Sequence, residues 1–290
     1  MSPEIAGYYS QEAANQPRSR NNLPLIALVG CVVGFACLCC AVPLGLLSGV
    51  GIIATIFEGN EVSESSVETL AIEDPDNVNL VIDNPIGEVI INGEADTNEI
   101  RVEITRRASG LTEDRARNAL DDLEVTVERS GNEYRIIVND PDEEFFENLA
   151  GSSSDLNITV PNELNIDAES NVGAVRVRNV TTRDRMDIQS DVGQIEFEGV
   201  LSPGGRHTLQ TDVGSIDVTV LPGSVFALEV ETDTGDVDID FDHGDDTCPS
   251  GAEGPDIEIA CEYAYEQGRD IEGRLSVQSS TGSIDIRDRD

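Results

Sequence analysis

Four segments repeat one pattern at an almost fixed interval, and a fifth copy stands near the end. Ser170-Asn171-Val172-Gly173-Ala174-Val175-Arg176-Val177 recurs as Ser190-Asp191-Val192-Gly193-Gln194-Ile195-Glu196-Phe197. It recurs again as Thr211-Asp212-Val213-Gly214-Ser215-Ile216-Asp217-Val218, as Thr232-Asp233-Thr234-Gly235-Asp236-Val237-Asp238-Ile239, and as Ser280-Thr281-Gly282-Ser283-Ile284-Asp285-Ile286. The first four glycines are spaced by 20, 21 and 21 residues, and Gly282 follows 47 residues after Gly235. A fixed period near 20 is the signature of a solenoid. Each copy carries two alternating pieces, such as Leu164-Asn165-Ile166-Asp167-Ala168 before the turn and Ile216-Asp217-Val218-Thr219-Val220 after it. Alternation places Ile, Val and Leu on one face and polar residues on the other. Gly173, Gly193, Gly214, Gly235 and Gly282 then permit a positive φ or a close stack of one corner on the next. One rung cannot bury its apolar face; stacked rungs, about 4.8 Å apart, make a continuous core. An antiparallel sandwich is the competing fold, and the constant register disfavours it.

Composition agrees with this reading. Aromatic residues are 4% of the 290, Trp is absent and there are 26 Gly, which suits short strands and tight turns packed by aliphatic residues. Ahead of the repeats, residues 78–91, with Gly87, form a diverged first rung, and residues 100–104 form a strand. Thr112 is placed to cap a helix over 113–123, with Glu113 and Asp114 in its first turn. Residues 125–128 and 134–138 read as strands around a Ser130-Gly131-Asn132 turn. Residues 140–154, with Phe145 and Phe146, read as an acidic loop. Residues 58–76, acidic and Ser-rich, read as a tether, so that order is expected to begin near Val78.

Residues 23–57 contain no charge. A helix crossing the hydrocarbon needs about 20 apolar residues, and this run exceeds the 7–15 residues or so of a cleaved signal peptide. Arg18 and Arg20 precede it, while Glu58, Glu61, Glu64 and Glu68 follow. Basic flanks stay cytoplasmic, so the expected topology is single-pass, with residues 1–22 inside and the C-terminal part outside. Two alternatives stay open: a hairpin broken at Pro43, and a lipoprotein processed before Cys31. Cys31, Cys37, Cys39 and Cys40 read as small apolar residues of this segment.

The formal charge is −39, and all 18 basic residues are Arg. The excess lies after residue 57. Such a surface repels nucleic acid and attracts cations and basic partners. No nucleophile elbow, P-loop or zinc spacing is present, and without Lys there is no Schiff base. His207, in a Gly-Gly-Arg-His stretch, reads as a solvated turn residue. Asp236, Asp238, Asp240 and Asp242 share one strand face and form the candidate Ca²⁺ set, although the stretch departs from an EF-hand loop; a solvated face is the simpler reading. Cys248 and Cys261, the only cysteines outside the apolar segment, are expected to form a disulfide outside the cytoplasm.

The Gly87 rung, the strand–helix–strand insert, the strand Ile158-Thr159-Val160-Pro161 and the five glycine rungs together resemble the toastrack, or adhesin-like, domains of unknown function in bacterial and archaeal envelope proteins. The resemblance covers residues 76–290. It implies a β-solenoid, often a membrane anchor, and no catalytic motif. The expected protein is therefore all-β: a single-stranded, β-helix-like solenoid over 77–290 with one short helical insert, preceded by one transmembrane helix. Its expected role is that of a non-catalytic interaction module, adhesin-like or structural, with an envelope or surface protein as partner and no cofactor other than Ca²⁺. An envelope-stress sensor acting through a membrane partner is the alternative.

Overall fold

The computed structural model of the chain describes residues 60–139, 151–265 and 271–289. The chain divides into two compact units, Met1–Glu58 and Gly59–Asp290. The first, with the tail and apolar segment assigned above, lies outside the described residues, as does most of the 140–154 loop. Among the described residues no helix is long and apolar enough to cross a membrane.

In chain order the elements are β1 (Asn60–Ala71), β2 (Asn79–Ile86), β3 (Val89–Glu94), β4 (Glu99–Gly110), α1 (Glu113–Asp122), β5 (Glu124–Ser130), β6 (Glu133–Asn139), β7 (Gly151–Pro161), β8 (Glu163–Val172), β9 (Val175–Val192), β10 (Ile195–Leu201), β11 (Arg206–Val213), β12 (Ile216–Val220), β13 (Val225–Asp240), β14 (Asp245–Asp246), β15 (Gly251–Ala264), β16 (Arg274–Thr281) and β17 (Ile284–Asp288). The fold is nearly all-β and solenoid-like. Each rung bends at a glycine corner, and the strands before and after the corners build two parallel ladders. One runs β6, β2, β8, the second half of β9, β11, β16 and the first half of β13. The other runs β7, β3, the first half of β9, β10, β12, β17 and the end of β13.

Stacking does not follow chain order. The rung of β16 and β17 lies between the β11–β12 rung and β13, so Gly282 sits over Gly214 and Gly235 sits over Gly282. Likewise β2 and β3 lie between the β6–β7 rung and β8–β9. The order expected from the 20- and 21-residue spacings is corrected on this point. The last repeat keeps its glycine register, with Ser279, one residue ahead of the segment quoted above, paired with Thr211.

Alternation fills the space between the ladders with columns in register. One column is Ile166, Met186, His207, Leu275 and Leu228, all at most 2% exposed. Burial of one such aliphatic side chain stabilises by about 1.5–3 kcal/mol. Beside each corner runs a buried polar column of Asn84, Ser170, Ser190, Thr211, Ser279 and Thr232. Ser190, Thr211 and Ser279 donate to the corner carbonyls of Gly173, Gly193 and Gly214 at 3.5, 3.4 and 3.3 Å. The hydroxyl and the glycine of the repeated motif thus act together: one ties down the neighbouring corner, and the other lets it approach.

The helix forms where its cap predicts. The Thr112 hydroxyl accepts from the Arg115 N–H at 3.3 Å, and Ala116 and Leu120 are buried. The tether assignment is corrected. Within 58–76, β1 pairs antiparallel with β4 over its whole length. Its side chains are nearly all exposed, so no apolar alternation marked it; the backbone ladder on the edge of β4 holds it.

Candidate functional site

The outward columns carry the charge. Arg176, Glu196, Asp217, Asp285 and Asp238 occupy equivalent positions on successive rungs. At the first of these, charge is balanced: Arg176 pairs with Glu88 and, at 3.2 Å, with Glu196, and Arg178 reaches Glu196 at 3.1 Å. Beyond Glu196 the column is acidic. Gln194 donates to Asp217 at 2.6 Å and Arg287 pairs with Asp285 at 3.3 Å. Partial burial, with the neighbouring Asp217, Asp238 and Asp240, raises the Asp285 carboxyl above its ordinary value against the opposing pull of Arg287. Like charges at stacked positions repel, so this column is under electrostatic load.

The candidate calcium residues are placed differently from a ligand cage. Asp236, Asp238 and Asp240 lie exposed along the end of β13, and Asp242 lies past it. Carboxylates two residues apart on a strand stand about 6.6 Å apart, wider than the cluster that an ion contacted at about 2.4 Å gathers. Among the described residues no three His, Cys, Asp or Glu side chains form a group that could hold a metal ion. Across rungs, Asp217, Asp285 and Asp238 stand in register.

A second polar cluster closes the C-terminal end. The Asp288 carboxylate, its side chain fully shielded, accepts from the backbone N–H groups of Asp242 and His243 and from the Tyr263 hydroxyl, each at 2.9 Å. Burial alone would raise the Asp288 carboxyl, but these hydrogen bonds outweigh it and hold it below its usual range. Burial and the Asp288 charge push the Tyr263 phenol upward. The ring of Tyr263 stacks on Phe241 at 4.1 Å and lies 5.3 Å from Phe226, so the cluster anchors the chain where it leaves β13.

Cys248 and Cys261 are joined, with S–S 2.06 Å. Cys261 pairs with Leu228 across β13 and β15 and so terminates the buried column described above. The bond ties the β14–β15 excursion over the last rung. Closing a loop of about 15 residues stabilises by about 3 kcal/mol in the chain-entropy model. Reduction is therefore expected to lower the melting temperature of residues 59–290 by about 10 °C; equal melts with and without reductant would show that the excursion is held by packing alone.

His207 is not a turn residue. It is 2% exposed, in the core column between Met186 and Leu275, with Nε2 3.4 Å from the Thr182 hydroxyl. Burial lowers its pKa to about 4, the Ser202 carbonyl opposing slightly. The signal for this was present: His207, Leu209 and Thr211 alternate with polar residues in the phase of an inward face.

A solved structure shares this fold. A protein described as a putative cell adhesion protein from Clostridium sporogenes matches with a TM-score of 0.51 at 10% identity, over 79% of this chain and 100% of that one. A putative adhesin from Bacteroides fragilis is 10% identical over 77% of this chain and 97% of that one, with a TM-score of 0.26. A putative lipid binding protein from Parabacteroides distasonis is 12% identical over 77% and 96%, with a TM-score of 0.19. Comparison with curated proteins returns no match. The family model described as Toastrack DUF4097 matches residues 78–290, the span of rungs from β2 to the end of β17. The chain belongs to the Toastrack DUF4097 family.

Proposed function

We propose that this protein is a membrane-anchored, extracytoplasmic interaction module without catalytic activity, and that it engages its partners through the acidic outer columns. The observation that carries this reading is the division of labour between the faces of each strand. Inward positions are filled by packed aliphatic columns, whereas outward positions converge on Asp217, Asp285 and Asp238. A surface of this kind selects basic or cation-bearing partners by charge complementarity. The cell-adhesion label of the Clostridium fold neighbour agrees with this reading. The basic flank before residues 23–57 and the acidic flank after them support an outside C-terminus.

The test is capture of envelope proteins from native membranes on immobilised residues 59–290. A set retained by the wild type and lost when Asp217, Asp238 and Asp285 are all changed to Asn supports the columns as the working surface. Capture indifferent to that change would sink the reading. On intact cells, a membrane-impermeant protease is expected to digest the C-terminal unit, and full protection would place that unit inside.

The same column sets the salt response. Neutralising one member of a like-charged stack stabilises by up to about 1 kcal/mol, so Asp285→Asn is expected to raise the melting temperature and to flatten its rise with NaCl. A further rise with millimolar Ca²⁺ at constant ionic strength, lost in Asp238→Asn, would mark bridging by the ion. A wild-type melt indifferent to NaCl would remove the electrostatic argument.

A further inference from the structure

The two ends of the stack are finished differently. At the C-terminal end, β15 runs antiparallel along β13 from Val225 to Asp238, past the corner and along both halves of that rung. At the other end the ladders stop separately and at unequal lengths. One continues from β6 to β5, which has no further strand neighbour among the described residues. The other continues from β7 to β4 and then to β1. Among the described residues the wall that ends in β5 is therefore one strand shorter, with no strand beside β5 opposite β1.

α1 occupies part of that place by packing against β4 and β1. The remainder is a groove of about 710 Å³. Four apolar side chains line it, of which Val125 and Val127 are partly exposed, while Ile104 and Leu123 are buried. Its rim is acidic, with Glu68 from β1, Asp121 and Asp122 from the end of α1, and Glu124 from β5. Arg106, the one base that lines it, is committed to Glu64 at 2.5 Å and to the Leu123 carbonyl at 2.7 Å. Glu64, Ser66 and Glu68 point to the core side of the sheet, as do their partners Arg106, Ile104 and Val102, yet they stay exposed.

We propose that this groove docks an extended basic segment of a partner protein, which adds as a strand to the free edge of β5. Main-chain hydrogen bonds to an edge give such a mode its affinity, and alternate side chains give it specificity. Apolar side chains on one face of the added strand would rest on the partly exposed Val125 and Val127. Lys or Arg side chains would meet Glu68, Asp121, Asp122 and Glu124. A second copy of this chain fits poorly, because its own long edge strand, β1, brings Glu61, Glu64 and Glu68 to an acidic rim. The proposal rests on the interaction-module reading above and gives it a location distinct from the acidic columns.

The experiment uses the full chain in nonionic detergent and a labelled synthetic peptide alternating valine and lysine, followed by fluorescence anisotropy, with empty micelles as the blank. Reversing the rim with Glu68→Lys and Glu124→Lys is expected to weaken binding about tenfold, and Asp238→Lys with Asp285→Lys to leave it within about twofold. Bound peptide is also expected to slow hydrogen exchange of the β5 amides. If either reversal lowers the melting temperature, the Gln and Asn variants replace it. Binding lost in the column variant but kept in the rim variant overturns the groove and leaves the acidic-column reading standing. No binding, or binding indifferent to both variants, overturns both. A concentration-dependent dimer that protects β5 without peptide assigns the groove to a second copy and overturns the proposal.

Discussion

Changing Gly214 to Ala is expected to cost about 4 kcal/mol or more, enough to unfold a marginal domain. Gly214 has φ +153°, and a Cβ there would overlap the carbonyl oxygen of Gly193. That carbonyl belongs to the corner beneath, which in turn carries Thr211 on its oxygen, so neither side can move without parting two rungs. Gly131→Ala is the matched control. Its φ of +64° is also left-handed, but nothing lies within 4 Å of the added carbon, so only the local conformational cost of about 1 kcal/mol remains. Chemical denaturation of residues 59–290 separates the two. Equal costs would mean that the corners are looser than their stacking implies.

Acidification is expected to unfold the protein through His207 before most carboxylates titrate. The unfolded imidazole takes up a proton near pH 6.5, whereas the buried ring does so only near pH 4. Above pH 6.5 both states are neutral there, and the residue makes no pH-dependent contribution. Between pH 6.5 and 4 the unfolded state binds the extra proton, so stability falls with pH by about 1.4 kcal/mol per unit, or about 3 kcal/mol in all. His207→Leu places an aliphatic side chain between Met186 and Leu275 and is expected to remove that slope while leaving the carboxylate titrations in place. The quantity to measure is the difference in unfolding free energy between wild type and variant, at several pH values from 7.5 to 4. A constant difference would mean that the ring is hydrated and titrates normally.

The rungs were legible in the sequence because their two requirements are local. A strand buried on one face alternates, as in Ile216-Asp217-Val218, and a corner that stacks on its neighbour needs Gly. The helix was legible for a similar reason, since Thr112, Glu113 and Asp114 satisfy its first turn within four residues. What escaped is non-local. A repeat period says that rungs are equivalent but not which ones touch, so Gly282 looked like a last rung after an insertion rather than one seated between Gly214 and Gly235. β1 escaped because a strand exposed on both faces has no alternation to display. His207 was obscured by Gly204 and Gly205 before it, which suggested a turn more strongly than the period-two pattern after it suggested a core. The acidic run along β13 was visible as a run, but the column that concentrates the charge joins Asp217, Asp285 and Asp238 from three rungs and depends on the order of stacking.

That order has a consequence for biosynthesis. Val225–Asp240 leaves the ribosome before its parallel neighbour, Arg274–Asp288, exists. Until the last residues are released, the β11–β12 rung presents one bare edge and β13 the other, and the only partner available to β13 is the antiparallel β15. At roughly 5–20 residues per second, the wait from Asp240 to Asp288 lasts several seconds. During it, a strand from another nascent chain has the same hydrogen-bonding groups to offer as the proper one. The C-terminal segment thus acts as a key inserted last into an otherwise assembled stack. A chain that stops at Gly273 would lose more than a terminal rung, because it would leave two facing edges open in the middle of the molecule.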